Sequence, residues 1–129
     1  MPRFLLLLCG DDDDRIPPGS PEFAEMAAGF EDFVSRLAAA GALVDTAPLM
    51  PASSARTARL RPGARPLVVD GPFAETKEVV GGYFVIEAAT MDEAVDLATT
   101  LRVVRPGSIE VRQLLDLSGA VDSGGARSS

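Results

Sequence analysis

The stretch DGPFAETKEVVGGYFVIEAATMDEAVDLA, residues 70–98, carries a turn, a strand and a capped helix in one run. Asp70-Gly71 is a turn pair, Pro72 fixes its own φ and biases Gly71 towards an extended conformation, and Phe73 is an apolar anchor for the returning chain. Val79–Ala88 is rich in branched and aromatic residues and reads as a strand. Gly81-Gly82 near its start marks a bulge or a close backbone approach. In TMDE, Thr90 and Glu93 form a capping box, and Ala94, Leu97, Ala98 and Leu101 follow as one apolar stripe.

Upstream of that stretch the elements are marked as clearly, and no internal repeat is visible. Arg3–Cys9 is an apolar strand, and GDDDDRIPPGS after it is a polar loop rich in Pro and Gly. Ser20 caps a helix with Pro21 at its first position and Glu22 beside the positive end of the dipole. Phe23, Met26, Ala27, Phe30, Phe33, Val34 and Leu37 recur at helical spacing, and Gly41 stands where the helix should end. Ala42–Leu49 is the next strand, stopped by the prolines of PLMP. Ala55–Leu60 alternates, Leu67–Asp70 is mostly branched, and RPGAR between them is the turn of a hairpin. Downstream, Ile109–Leu115 is the last strand, and the 118–129 segment SGAVDSGGARSS is composed like a disordered tail, leaving 1–117 as one domain.

The order βαβ, hairpin, βαβ is that of an α+β fold of the ferredoxin-like, split βαβ type with an inserted β-hairpin. Two helices cover one face of such a sheet, yet FLLLLC and YFVI are apolar on both faces of their strands. The second face therefore requires a cover, and the simplest is the same face of another copy, giving a homodimer that closes as a dimeric α+β barrel.

Composition narrows the chemistry. A chain of 129 residues with 47% hydrophobic residues builds a core, and a net charge of −7 repels a phosphate backbone, so nucleic acid is not an expected partner. With no His, no Trp and one Cys, internal disulfides, histidine triads and the common zinc sites are excluded, and no cofactor is expected. The run Phe4–Cys9 is shorter than the apolar core of a secretion signal and meets Asp11–Asp14 directly. It reads as a buried strand, and the protein is expected in the cytoplasm, away from membranes. Asp11, Asp13 and Glu22 fall near calcium-loop spacing, but Arg15 occupies a ligand position and Ile16 the glycine position, so the loop reads as solvated acid.

Candidate chemistry gathers near the opening motif. Asp70 and Glu75 are candidate general bases, Lys77 an electrostatic or nucleophilic partner, and Tyr83 a proton donor. The structural alternative makes Asp70 a turn acceptor, Glu75 and Lys77 a surface ion pair worth at most about 1 kcal/mol, and Tyr83 a half-buried core residue. Turn chemistry alone accounts for Asp70, Gly71 and Pro72. Arg56 and Arg59, with Arg61 and Arg65, suit an anionic ligand or protect a strand edge. Together with Phe73 they are candidate ligand contacts.

Residues 70–98, together with LLLLCGDD and RLAAAGALVDTAPL, closely resemble the YCII-related proteins of the DGPF subgroup, over roughly residues 1–117. The resemblance implies a dimeric α+β barrel and a small bacterial protein of unassigned activity. Some such proteins stand beside extracytoplasmic-function sigma factors, and a few act on small aromatic or lactone-type molecules. It also implies a histidine on the first helix, paired with an aspartate as an acid/base dyad. Phe30 occupies that position in this chain and is a candidate ligand contact instead. A phenyl ring does not titrate, so chemistry here would fall to carboxylates, Lys77, Tyr83 or arginine. The expected function is a dimeric small-molecule-binding or regulatory partner module. The alternative is a cofactor-independent enzyme doing acid/base chemistry on a small anionic or enolisable compound.

Overall fold

The computed structural model describes residues 1–11, 16–72, 78–103 and 105–118. Strand β1, Arg3–Asp11, leads to helix α1, Pro21–Ala39, and strand β2, Leu43–Pro48. Strands β3, Arg56–Arg59, and β4, Leu67–Asp70, come next. They are followed by β5, Glu78–Glu87, helix α2, Met91–Ala98, and β6, Ser108–Gln113. The four longer strands form one antiparallel sheet in the order β2-β5-β1-β6. With both helices packed on one face, this is the ferredoxin-like arrangement of an α+β fold. Strands β3 and β4 pair with each other as a separate two-stranded ribbon, Arg56 opposite Asp70 and Arg59 opposite Leu67.

Local chemistry sets the element ends. Ser20 Oγ accepts the Phe23 N–H at 3.1 Å, and Pro21 occupies a position whose N–H has no helical acceptor. At the other end Gly41 takes φ +71°, the Gly41 N–H donates to the Ala38 carbonyl at 3.0 Å, and the Ala42 N–H reaches the Leu37 carbonyl at 2.9 Å. These are the paired bonds of a Schellman motif. Thr90 Oγ1 accepts the Glu93 N–H at 3.1 Å and so starts α2.

The core lies between the sheet and the helices. Phe4 and Leu6 of β1 and Phe84 and Ile86 of β5 meet Phe33 and Leu37 of α1, and Ala94 and Ala98 bring α2 close to the same layer. Ala27, expected in the core, is exposed, and Phe23 and Met26 are half-buried. The first half of α1 instead lies beside the connection from α2 to β6: a Cβ on Gly29 would stand 2.9 Å from the Arg102 carbonyl oxygen, and Glu22 pairs with Arg105.

Two bulges adjust which side chains face which way. Leu8 pairs with Gly82 but Cys9 with Val80, so Gly81 is the extra residue in β5, as the double glycine suggested. Its neighbour Gly82 is buried, with room for a Cβ only at 3.2 Å from the Ala47 carbonyl oxygen. Leu43 pairs with Ile86 but Asp45 with Val85, so Val44 is the extra residue in β2. In both strands, residues two apart end up on opposite faces, against the usual alternation.

Candidate functional site

Among the described residues, nothing covers the face of the sheet turned away from the helices. Directly opposed residues in an antiparallel pair share a face. The register therefore sets Leu5, Leu7, Cys9 and Asp11 of β1 beside Val85, Tyr83, Val80 and Glu78 of β5. Asp45 and Ala47 extend that face through β2, and Ser108, Glu110 and Arg112 through β6. Its middle is apolar and only half-buried, and its margins are charged. Arg3 reaches Glu87 at 3.5 Å, and Arg112 reaches Glu110 at 3.8 Å.

Tyr83 stands opposite Leu7 at the apolar centre, and its partner is one the sequence did not single out. Its hydroxyl donates to Asp45 Oδ2 at 3.1 Å, while Asp45 Oδ1 accepts the Thr46 N–H at 2.8 Å. The neighbouring strand is held by Thr46 Oγ1 donating to the Tyr83 carbonyl at 2.9 Å. The hydrogen bond to Asp45, then its negative charge, then burial raise the Tyr83 pKa, because each disfavours a phenolate. The stabilisation from this bond is complete below a tyrosine's ordinary pKa of about 10 and is lost as pH rises through the raised value. Asp45→Asn is expected to bring Tyr83 ionisation back down towards that ordinary range. A near-ultraviolet absorbance titration reads it directly, since the chain has one tyrosine and no tryptophan.

Cys9 sits on the same face with a raised pKa, from burial first and then from Glu110 and Glu78. A thiol held protonated among carboxylates is a poor nucleophile.

The other nominated residues lie elsewhere. Asp70 is 3.4 Å from Arg56 at the base of the ribbon, both largely in solvent, and Arg59 is exposed in the last pair before the ribbon tip. Gly71 builds the corner beside them: its φ is +95°, its N–H donates to the Ala55 carbonyl at 2.7 Å, and its carbonyl accepts Thr57 Oγ1 at 2.7 Å. That positive φ suits glycine and explains why Asp-Gly stands at the turn. Phe30 packs, half-buried, against the core between α1 and the sheet, on the opposite face from Tyr83. Phe73, Glu75 and Lys77 lie outside the described residues. The structure thus joins Asp70 to Arg56, and Tyr83 to Asp45. Asp45 had one visible signal, as the sole charged residue of the strand ALVDTAPL.

A second polar region runs along α1. Arg36 donates to the Thr100 carbonyl at 2.9 Å, Gly29 lies against the Arg102 carbonyl, and Glu22 accepts two bonds from Arg105 at 2.7 and 3.1 Å. These helix positions recur every seven residues, two turns apart, so one face of α1 holds Thr100, Arg102 and Arg105 as points of a strap running antiparallel to it. Hydrogen bonding from Arg105 holds the Glu22 carboxyl below its ordinary pKa, outweighing the opposing effect of burial. An open groove of about 730 Å³ lies between helix and strap, with Glu25, Asp32 and Arg102 on its walls. Arg36 also lines it, and its guanidinium is committed to Asp32 at 2.9 Å.

Among the described residues no group of three or more His, Cys, Asp or Glu is arranged to hold a metal ion, and no helix is long and apolar enough to cross a membrane. Residues 4–118 match the YCII-related domain. The chain is also 40% identical over 111 residues to an uncharacterized protein of Rhizobium meliloti, an alignment covering 84% of this chain and 89% of that protein. A match across nearly the whole α+β unit, with a relative of similar length, places this chain in the YCII-related family.

Proposed function

We propose that this YCII-related protein belongs to the DGPF subgroup and acts as a homodimeric module that binds a small molecule or a regulatory partner, with residues 1–117 as its folding unit. The observation that carries the reading is the open face of the sheet, where Leu5, Leu7, Val80 and Val85 lie uncovered around the Tyr83–Asp45 hydrogen bond. An apolar sheet centre with charged margins resembles half of a closed interface. Two such faces brought together about a two-fold axis enclose a space with apolar walls and a few polar groups, the usual character of a small-molecule site.

Leu7→Glu tests this reading. Leu7 is at the middle of the face and half-buried in the single chain, so the substitution should leave the fold intact. The dissociation constant is expected to rise by roughly a hundredfold or more, as for a central contact replaced by a charge. Sedimentation velocity at micromolar concentration should show a wild-type dimer and a Leu7→Glu monomer. A wild-type monomer under those conditions removes the reading.

The Tyr83–Asp45 contact also favours a second reading, a cofactor-independent enzyme on a small anionic or enolisable compound. In it Tyr83 is a proton donor kept neutral, and Asp70, Glu75 and Lys77 supply charge and base, with Phe73, Arg56 and Arg59 as ligand contacts, while Phe30, on the other face of the sheet, takes no part. Under this reading Tyr83→Phe abolishes turnover of such a compound while leaving binding in place, whereas the binding module loses only affinity.

A further inference from the structure

The ribbon of β3 and β4 is a poor structure on its own. Two-stranded hairpins are marginal in water without a surface to pack on, and every residue from Arg56 to Asp70 is exposed except Thr57, which is half-buried. Its apolar side chains lie on both sides. Val68 shares a face with Arg56, and Leu67 and Val69 share the other with Arg59, at 58%, 46% and 36% exposure in that order. A ribbon bare on both faces calls for a partner surface.

Charge indicates which surface. From Ala55 to Pro72 the chain has four arginines and one carboxylate. The open sheet face has the opposite balance, with Asp11, Asp45, Glu78, Glu87 and Glu110 against Arg3 and Arg112. The ribbon is inserted where β2 ends at Pro48 and β5 begins at Glu78, the end of the sheet at which Asp11 and Glu78 face each other.

We infer that in the homodimer the β3–β4 ribbon of each copy lies across the acidic end of the other copy's open face. The ribbon face that carries Arg59 with Leu67 and Val69 then forms one wall of the pocket built on Tyr83 and Asp45 of the other copy. This rests on the dimer reading above and deepens it: each pocket is composite, and its positive groups come from the second copy. The two-fold axis makes the contact twice, and the apolar ribbon residues extend the Leu5–Leu7–Val85 surface. Opposite charge also fixes the register of one copy on the other.

Cys9 is the only cysteine and stands on the open face near that end, so it serves as a native probe. Val68→Cys and Val69→Cys place a second thiol on either side of the ribbon at exposed positions. A disulfide forms only when two Cα atoms come within about 7 Å. Mild oxidation with diamide is expected to give a covalent dimer on a non-reducing gel for at least one of the two variants. That band should be absent from wild type and from the same variant carrying Cys9→Ser. Independently, Arg56→Glu with Arg59→Glu should raise the dissociation constant about tenfold at low salt and much less at high salt. A wild-type monomer in sedimentation overturns both the dimer and the ribbon contact. A dimer that yields no two-thiol band, or a band in a single-cysteine chain, overturns the ribbon contact alone.

Discussion

Phe33→Ala is expected to lower the unfolding free energy by about 3–5 kcal/mol, which is a large part of the roughly 5–15 kcal/mol that holds a domain of this kind together. The ring is fully buried, meets Phe84 edge-on at 5.0 Å and 77°, and lies under the Arg36 guanidinium at 5.8 Å. Truncation removes the apolar area, the ring pair and the floor under Arg36 together. The surrounding side chains are Phe, Leu, Ile and Ala on a sheet and two capped helices, which cannot close a phenyl-sized void without moving whole elements. Urea unfolding of wild type and variant measures the difference, with Phe33→Leu as the milder control. A loss below about 1 kcal/mol would mean that α1 does not dock on the sheet through this ring.

Gly29→Ala is expected to destabilise by about 1–2 kcal/mol, although helix propensity alone predicts a gain of about 1 kcal/mol for replacing a mid-helix glycine. The added Cβ would stand 2.9 Å from the Arg102 carbonyl oxygen, a contact with backbone that no side-chain rotation relieves. Either the helix or the strap must shift, and overpacking of this sort costs about 1–3 kcal/mol, enough to reverse the propensity term. Its exposed neighbour offers a control: Ala28→Gly should also destabilise, by propensity alone. Both variants losing stability identifies a close approach at residue 29. A gain for Gly29→Ala would mean that the strap is free to move.

Much of this architecture was written locally. Ser20, Pro21, Gly41 and Thr90 act within a turn of where they stand, and the two apolar central strands and the ribbon turn at RPGAR declare themselves by composition. The double glycine announced a bulge because only a local irregularity needs it. Asp45 was harder to read. Alternation puts Asp45 on the same face as Leu43, and only the extra residue Val44, fixed by pairing with β5, turns it to Tyr83. The sevenfold spacing of Glu22, Gly29 and Arg36 was equally silent, because its meaning lies in a connection that has no periodicity of its own. Asp70 was nominated as a base and Arg56 as a ligand contact, and the two stand 3.4 Å apart as an exposed ion pair that neither nomination anticipated. Phe73, Glu75 and Lys77 fall outside the described residues.

The strand order also governs what happens while the chain is being made. β1 is synthesised first but lies between β5 and β6. Its FLLLLC run therefore has no hydrogen-bonding neighbour until residues 78–87 have left the ribosome, and has only one until 108–113 have followed. Until β5 has emerged, a strongly apolar segment has both edges open, the condition in which nascent chains aggregate or engage chaperones. Helix α1, capped at both ends by its own residues, is available much earlier and presents Phe33 and Leu37 to that segment. The early helix can thus shelter one face of β1 during the wait, which gives its two strong caps a role in biosynthesis as well as in the finished fold.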